Sequence, residues 1–333
     1  MKLQNIFLVL VAVSFLGVLP CHSQRISVGK KGHIKVMRTD STSAREFVRD
    51  QGEGTWGSAR AKQKLTNVVA DYLDSDVDLE IPTTKIVRDK TFAVIIANEN
   101  YQEEVNVDFA INDGVAFSQY CTKLLGLPES NVHVRRDATL NNILAEINWM
   151  QNIAHAYGTE AKFIFYYAGH GVPDESNGSA YLLPIDGKSN IPATGYSISK
   201  LYAELNALNA ASVTVLMDAC FSGTKRGDGM LASARGVALK VKAEAPKGNM
   251  LVLTAAQGSE TAYPYKEKKH GLFTYFLLKK LQESKGKTTY GELFEYVKRN
   301  VAQKSIVVNE KSQTPSVAAS GDMASAWENI KLN

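Results

Sequence analysis

The chain has 333 residues, of which 44% are hydrophobic and 22% charged, with a formal net charge of +4. This is ordinary globular composition, enough for one large domain with an extension or for two small domains. The charge is too small for a nucleic-acid partner, and no basic stripe is interleaved with aromatic residues.

The N-terminus carries Lys2, an apolar run from Ile6 to Leu19, and then Pro20-Cys21-His22-Ser23-Gln24. A basic start, a short apolar core and small residues beyond it form the pattern of a secretory signal, here residues 1–23, with cleavage expected between Ser23 and Gln24. The run falls short of the ~20 apolar residues that a membrane span needs. No second run of that length follows, so the expectation is an exported protein without a membrane span: periplasmic, surface-held or secreted. Cys21 raises lipoprotein anchoring, but Pro20 directly before it does not fit a lipidation site. Cys121 falls on the apolar side of a predicted helix with Phe117, Tyr120 and Leu124, where a buried free thiol is expected rather than a disulfide.

Residues 24–89 read as an N-terminal extension or pro-segment. Within it, residues 24–57 are polar without apolar periodicity and are expected to be extended or irregular. Residues 58–73 can form one helix (Ala61, Leu65, Val68, Val69, Tyr72). Residues 74–88 turn from acidic through Pro82 to basic and read as a linker.

The main domain is placed at residues 90–333. Its first apolar run, residues 92–97, has the continuous hydrophobicity of a central strand covered on both faces. A helix over 108–125 follows, ended by Gly126 and Pro128, and then a short strand at 132–134. Thr139 can cap the next helix, whose Leu140, Ile143, Leu144, Ile147, Met150 and Ile153 keep a 3.6-residue period. A strand ends at Tyr166-Tyr167-Ala168-Gly169-His170-Gly171. It is followed by a Gly/Pro/Asp-rich loop (171–195) and a helix at 198–208. Another strand runs into Asp218-Ala219-Cys220-Phe221-Ser222-Gly223, then a long loop (223–248) and a strand at 250–254. Helices near 270–283 and 288–303 and a strand near 316–319 complete the pattern. Strands alternating with helices imply a largely parallel sheet with helices on both faces.

Two neighbouring parallel strands thus end in a His-Gly and an Ala-Cys, and open α/β sheets bind ligands beyond the carboxyl ends of their strands. A histidine and a cysteine delivered there suit a base and a nucleophile. The two segments resemble the His-Gly and Ala-Cys ends of caspase-like (clan CD) cysteine peptidases, closest in motif to metacaspases and bacterial caspase-domain peptidases. The histidine lies 50 residues before the cysteine, the spacing known for caspases. The resemblance covers about residues 90–320.

The resemblance implies a three-layer α/β/α sandwich with a six-stranded, mostly parallel sheet. It implies a Cys220–His170 dyad, with the backbone N–H groups of Gly171 and Cys220 as oxyanion donors; no third triad side chain is evident. Caspases carry Gln where this chain has Asp218. The segment Ala110-Ile111-Asn112-Asp113 resembles the metacaspase stretch that adds a second acid to S1. Asp113 and Asp218 would then form an acidic S1 pocket for Lys or Arg, although an acid in a helix's first turn is also favourable by itself. Ala168 stands where metacaspases carry a pocket serine, which leaves Lys versus Arg open.

Caspase relatives are cut in the connection after the cysteine, and Lys225, Arg226 and Arg235 are the candidate self-cleavage sites of a basic-specific zymogen. No cofactor is expected. Calcium, which many metacaspases need, would have to use Asp174, Glu175, Asp186 and Asp228, whose spacing does not match the metacaspase cluster. His33, His133, His155 and His270 lack metal-ligand spacing, so no structural metal is expected. The expected partner is a peptide or protein substrate with a basic P1 residue, and a monomer is the default. Two rivals stand beside this reading: a caspase-like peptidase with acidic P1 preference, and a catalytically silent caspase-like binding module.

Overall fold

The computed structural model describes residues 24–28, 34–38, 75–174, 178–221, 245–258, 260–321 and 323–332. The expected signal (1–23), the helix at 58–73 and the cleavage candidates Lys225, Arg226 and Arg235 lie outside these residues. In the first of two compact units, β1 (Gln24–Val28) pairs antiparallel with β2 (Ile34–Arg38), Gln24 opposite Arg38.

The second unit is built on a six-stranded sheet. In chain order its strands are β3 (Thr91–Ala97), β4 (Val132–Arg136), β5 (Lys162–Ala168), β9 (Ser212–Asp218), β10 (Met250–Thr254) and β13 (Ser316–Ala319). They lie in the order β13-β10-β9-β5-β3-β4, all parallel except β13, which runs antiparallel to β10. The helices are α1 (Ala110–Gln119), α2 (Leu140–Tyr157), α3 (Ile198–Ala207), α4 (Leu272–Ser284) and α5 (Tyr290–Asn309). This is the α/β/α sandwich expected from the sequence.

Alternation along the strands divides the core into two layers. Ile95, Tyr166, Leu216 and Leu253 pack with Phe117, Leu278 and Val297 from α1, α4 and α5. Val94, Phe165, Val215 and Val252 pack with Ile147, Met150 and Leu201 from α2 and α3. The caps follow local chemistry: the Thr139 hydroxyl accepts from Asn142 N at the start of α2, and Thr289 and Glu292 form a capping box on α5. The helix predicted over 108–125 starts at Ala110 and finishes in a wide π-type turn, Tyr120–Leu124.

Two differences from the sequence reading matter for the site. The loop at 171–195 contributes β6 (Gly171–Pro173) and β7 (Ala180–Leu182) to a small sheet completed by β8 (Tyr196–Ser197) just after it, and residues 264–271 form a hairpin, β11 (Pro264–Tyr265) with β12 (His270–Gly271). Strands of two or three residues are too short for alternation to register. Residues 75–88 are also not a free linker. Val77 is fully buried, Thr84 N donates to Lys123 O (2.8 Å), and Arg88 N donates to Gly126 O (2.8 Å). The acids of this strap, Asp76 and Asp78, meet two lysines and a histidine from the other end of the domain.

No helix among the described residues is long and apolar enough to cross a membrane. Cys121 and Cys220 are both buried thiols. Burial pushes the Cys121 thiol well above its ordinary pKa, as befits an inert core thiol.

Candidate active site

Register brings the two chemical segments together. Tyr166 pairs with Leu216, Tyr167 with Met217 and Ala168 with Asp218 in the parallel β5–β9 pair. His170 and Cys220 therefore each stand two residues past the ends of adjacent strands. Gly169 N donates to Asp218 O (3.3 Å), closing the gap where the strands stop. Beyond it the two loops touch. A Cβ on Gly171 would lie 2.5 Å from Cys220 O and 2.5 Å from the Phe221 ring, so only glycine lets them approach this closely. Gly169 has φ +155°, and a Cβ there would strike the hydroxyls of Tyr101 and Tyr167 at 2.7 and 2.8 Å.

His170 is held from three sides. Its backbone N donates to the Tyr101 hydroxyl (2.8 Å), its carbonyl accepts from the Tyr167 hydroxyl (2.7 Å), and its ring lies 4.6 Å from that of Tyr101 between centroids. The ring Nε2 sits 2.7 Å from Val105 O. A carbonyl oxygen can only accept, so Nε2 carries the proton, and in the neutral imidazole Nδ1 is then the basic nitrogen. Burial pushes the Tyr101 and Tyr167 hydroxyls up, keeping both neutral as donors. Tyr101 in turn donates to Leu183 O (3.2 Å), and Asn98 bridges Ala138 and Leu183, tying the strand ends to the loop before β8.

The candidate S1 acids are both fully buried and both meet the start of α4. Asp218 accepts from Thr274 N (3.2 Å) and Thr274 Oγ1 (2.7 Å). Asp113, in the first turn of α1, accepts from Gly271 N (3.1 Å) and from His270 Nδ1 (2.8 Å). Two carboxylates at one helix N-terminus complement its partial positive charge. The segment from His270 to Thr274 thus links both acids, an arrangement their 105-residue separation does not announce. Ala168 is buried beside Asp218 at the end of β5.

Of the acids considered for calcium, Asp186 caps α2 by accepting from Leu140 N (3.1 Å), and Asp174 closes a turn with Ser179. Glu175 and Asp228 lie outside the described residues. Among the described residues no cluster of three or more His, Cys, Asp or Glu could hold a metal ion.

Sequence reasoning missed Tyr101, the Val105 carbonyl and His270. Tyr101 follows the C-terminal end of β3, where site residues gather; that position was its only signal. A backbone carbonyl leaves no mark on residue type. His270 was set aside for want of metal-ligand spacing, a test that cannot see a histidine paired with carboxylates.

Comparison with known proteins agrees with this architecture. The family model described as "Caspase domain" matches residues 90–322. A solved protein from Geobacter sulfurreducens superimposes with a TM-score of 0.52 at 21% identity, covering 69% of this chain and 93% of its own. Caspase-1 from Spodoptera frugiperda superimposes with a TM-score of 0.50 at 15% identity, covering 72% of this chain and 90% of its own. At these identities the likeness is one of fold. No curated protein sequence matches the chain.

Proposed function

This chain belongs to the caspase-domain family of cysteine peptidases, and on that premise we propose that it is an exported endopeptidase that cleaves proteins after Lys or Arg through Cys220 and His170. The observation that carries the reading is the contact between the His170-Gly171 and Cys220-Phe221 loops, with His170 Nε2 donating to Val105 O.

In this reading, His170 Nδ1 takes the Cys220 proton and the thiolate adds to the scissile carbonyl carbon. The N–H groups of Gly171 and Cys220 receive the oxyanion. His170 then protonates the departing amine as the C–N bond breaks, leaving an acyl-thioester on Cys220. Water, deprotonated by the same nitrogen, releases the acid and restores the thiol. Val105 O keeps the ring in the useful tautomer throughout, a third member supplied by the backbone. Asp113 and Asp218 provide the negative field for a Lys or Arg side chain, and cleavage among Lys225, Arg226 and Arg235 would convert a zymogen to its mature form.

The test is hydrolysis of fluorogenic peptides ending in Arg, Lys or Asp by wild type and Cys220→Ala, with calcium and with chelator. Cysteine-dependent cleavage after Arg or Lys supports the reading, and the chelator decides the calcium question. Cleavage after Asp keeps the dyad but sinks the acidic pocket. No cleavage by wild type, even after limited trypsin treatment, favours a silent binding module. Equal persistence of intact wild type and Cys220→Ala on long incubation would remove self-processing.

A further inference from the structure

His270, from the C-terminal half of the domain, lies between two carboxylates that both come from its N-terminal part, Asp78 and Asp113. It is fully buried; its Nδ1 is 2.8 Å from Asp113 Oδ1, and its Nε2 is 3.2 Å from both Asp78 oxygens. Ionised carboxylates only accept, so both ring nitrogens must donate, which makes the ring an imidazolium. Asp78 belongs to the strap at residues 75–88, which has its own anchors. Asp76 is paired with Lys268 (2.8 Å) and Lys279 (2.8 Å), Tyr120 donates to Val77 O (2.7 Å), and Gln282 donates to the carbonyls of Asp76 and Leu79 (2.9 Å each).

We propose that Asp78 and His270 are positioning residues of the S1 pocket, so that residues 75–88 are part of the working peptidase and not of a removable pro-segment. The proposal rests on Asp113 being an S1 acid. Asp113 is fully buried, and an isolated buried carboxylate does not keep its charge. The imidazolium stabilises that charge, and Asp78 stabilises the imidazolium. With Asp78 removed, a neutral His270 offers one N–H and no positive charge, and Asp113 loses the ionised form that a P1 cation would meet. The strap therefore acts on specificity through two side chains, without touching substrate.

The test uses the full chain and a fluorogenic peptide ending in Arg, with KM, kcat and melting temperature measured for each variant. Asp78→Asn and His270→Gln break the relay at different links, so misfolding of one leaves the other decisive. Asp76→Asn is the control: it cuts the strap's ion pairs to Lys268 and Lys279 and leaves the His270 pairings in place. Expected for the relay variants is a KM raised about tenfold, the scale of one charge-assisted hydrogen bond, with kcat within about threefold of wild type. Asp76→Asn should lower the melting temperature and leave KM alone. If the folded relay variants keep wild-type KM, or if Asp76→Asn raises KM equally, the proposal is overturned. An Asp113→Asn arm separates the two levels. A raised KM for Asp113→Asn alone defeats only the relay, whereas a wild-type KM for it defeats the S1 reading and the relay together.

Discussion

Gly171→Ala tests whether the contact between the two loops is required for chemistry. The added methyl would sit 2.5 Å from Cys220 O, where ordinary contacts begin at 3.4 Å, so the loops must part by about 0.9 Å. Gly171 is not among the glycines with positive φ, so backbone strain adds nothing and the clash is the whole effect. Overpacking of this kind costs about 1–3 kcal/mol of stability. A misplacement of about 1 Å at reacting groups costs on the order of 100-fold in rate. The expectation is therefore kcat about 100-fold lower with a modest loss of stability, read by steady-state hydrolysis of a peptide the wild type cleaves and by thermal melting. Adding Phe221→Ala removes the ring contacts but leaves the clash with the Cys220 carbonyl, so it should not restore kcat. A Gly171→Ala enzyme with near-wild-type kcat would refute the argument, because the loops could then separate without loss of function.

Three further outcomes are expected. Tyr101→Phe removes the acceptor of the buried His170 N–H, which should cost about 1–3 kcal/mol in urea unfolding and lower kcat more than it raises KM; unchanged stability would mean another acceptor takes over. Burial alone would lower the His270 pKa, but the hydrogen bonds its ring donates to Asp113 and Asp78 outweigh burial and raise it to about 9. The folded state then binds the extra proton between the ordinary histidine value and about 9, so its contribution of about 3 kcal/mol is complete below pH ~6.5 and is lost as pH rises through ~9. Urea midpoints across pH 6 to 9.5 should fall for wild type and stay flatter for His270→Gln; parallel curves would sink this assignment. Cys121, buried with its thiol pKa pushed well up, should resist iodoacetamide in native Cys220→Ala and react only on unfolding, as counted by mass spectrometry; rapid native labelling would show that the α1 layer opens.

Much of this protein could be read from its residues alone. Continuous apolar runs such as residues 92–97 identify buried parallel strands, because a strand covered on both faces has no polar side to show. Val94 and Ile95 pack into opposite layers, and both had to be apolar. His170 and Cys220 stood out as candidates because each follows such a run and each neighbours a glycine or a small residue. The strap was misread because composition records that Asp76 and Asp78 are charged but not what they face. Lys268, His270 and Lys279 come within reach only when the hairpin at 264–271 and α4 fold against it. The same holds for Asp113 and Asp218, whose residue type suggests a pocket while tertiary structure decides that both meet the start of α4. Pattern along a chain reports burial, because burial selects side chains one at a time. Pairing between distant charges, and the carbonyl that orients His170, depend on which loops meet, and the strand order β13-β10-β9-β5-β3-β4 sets that meeting.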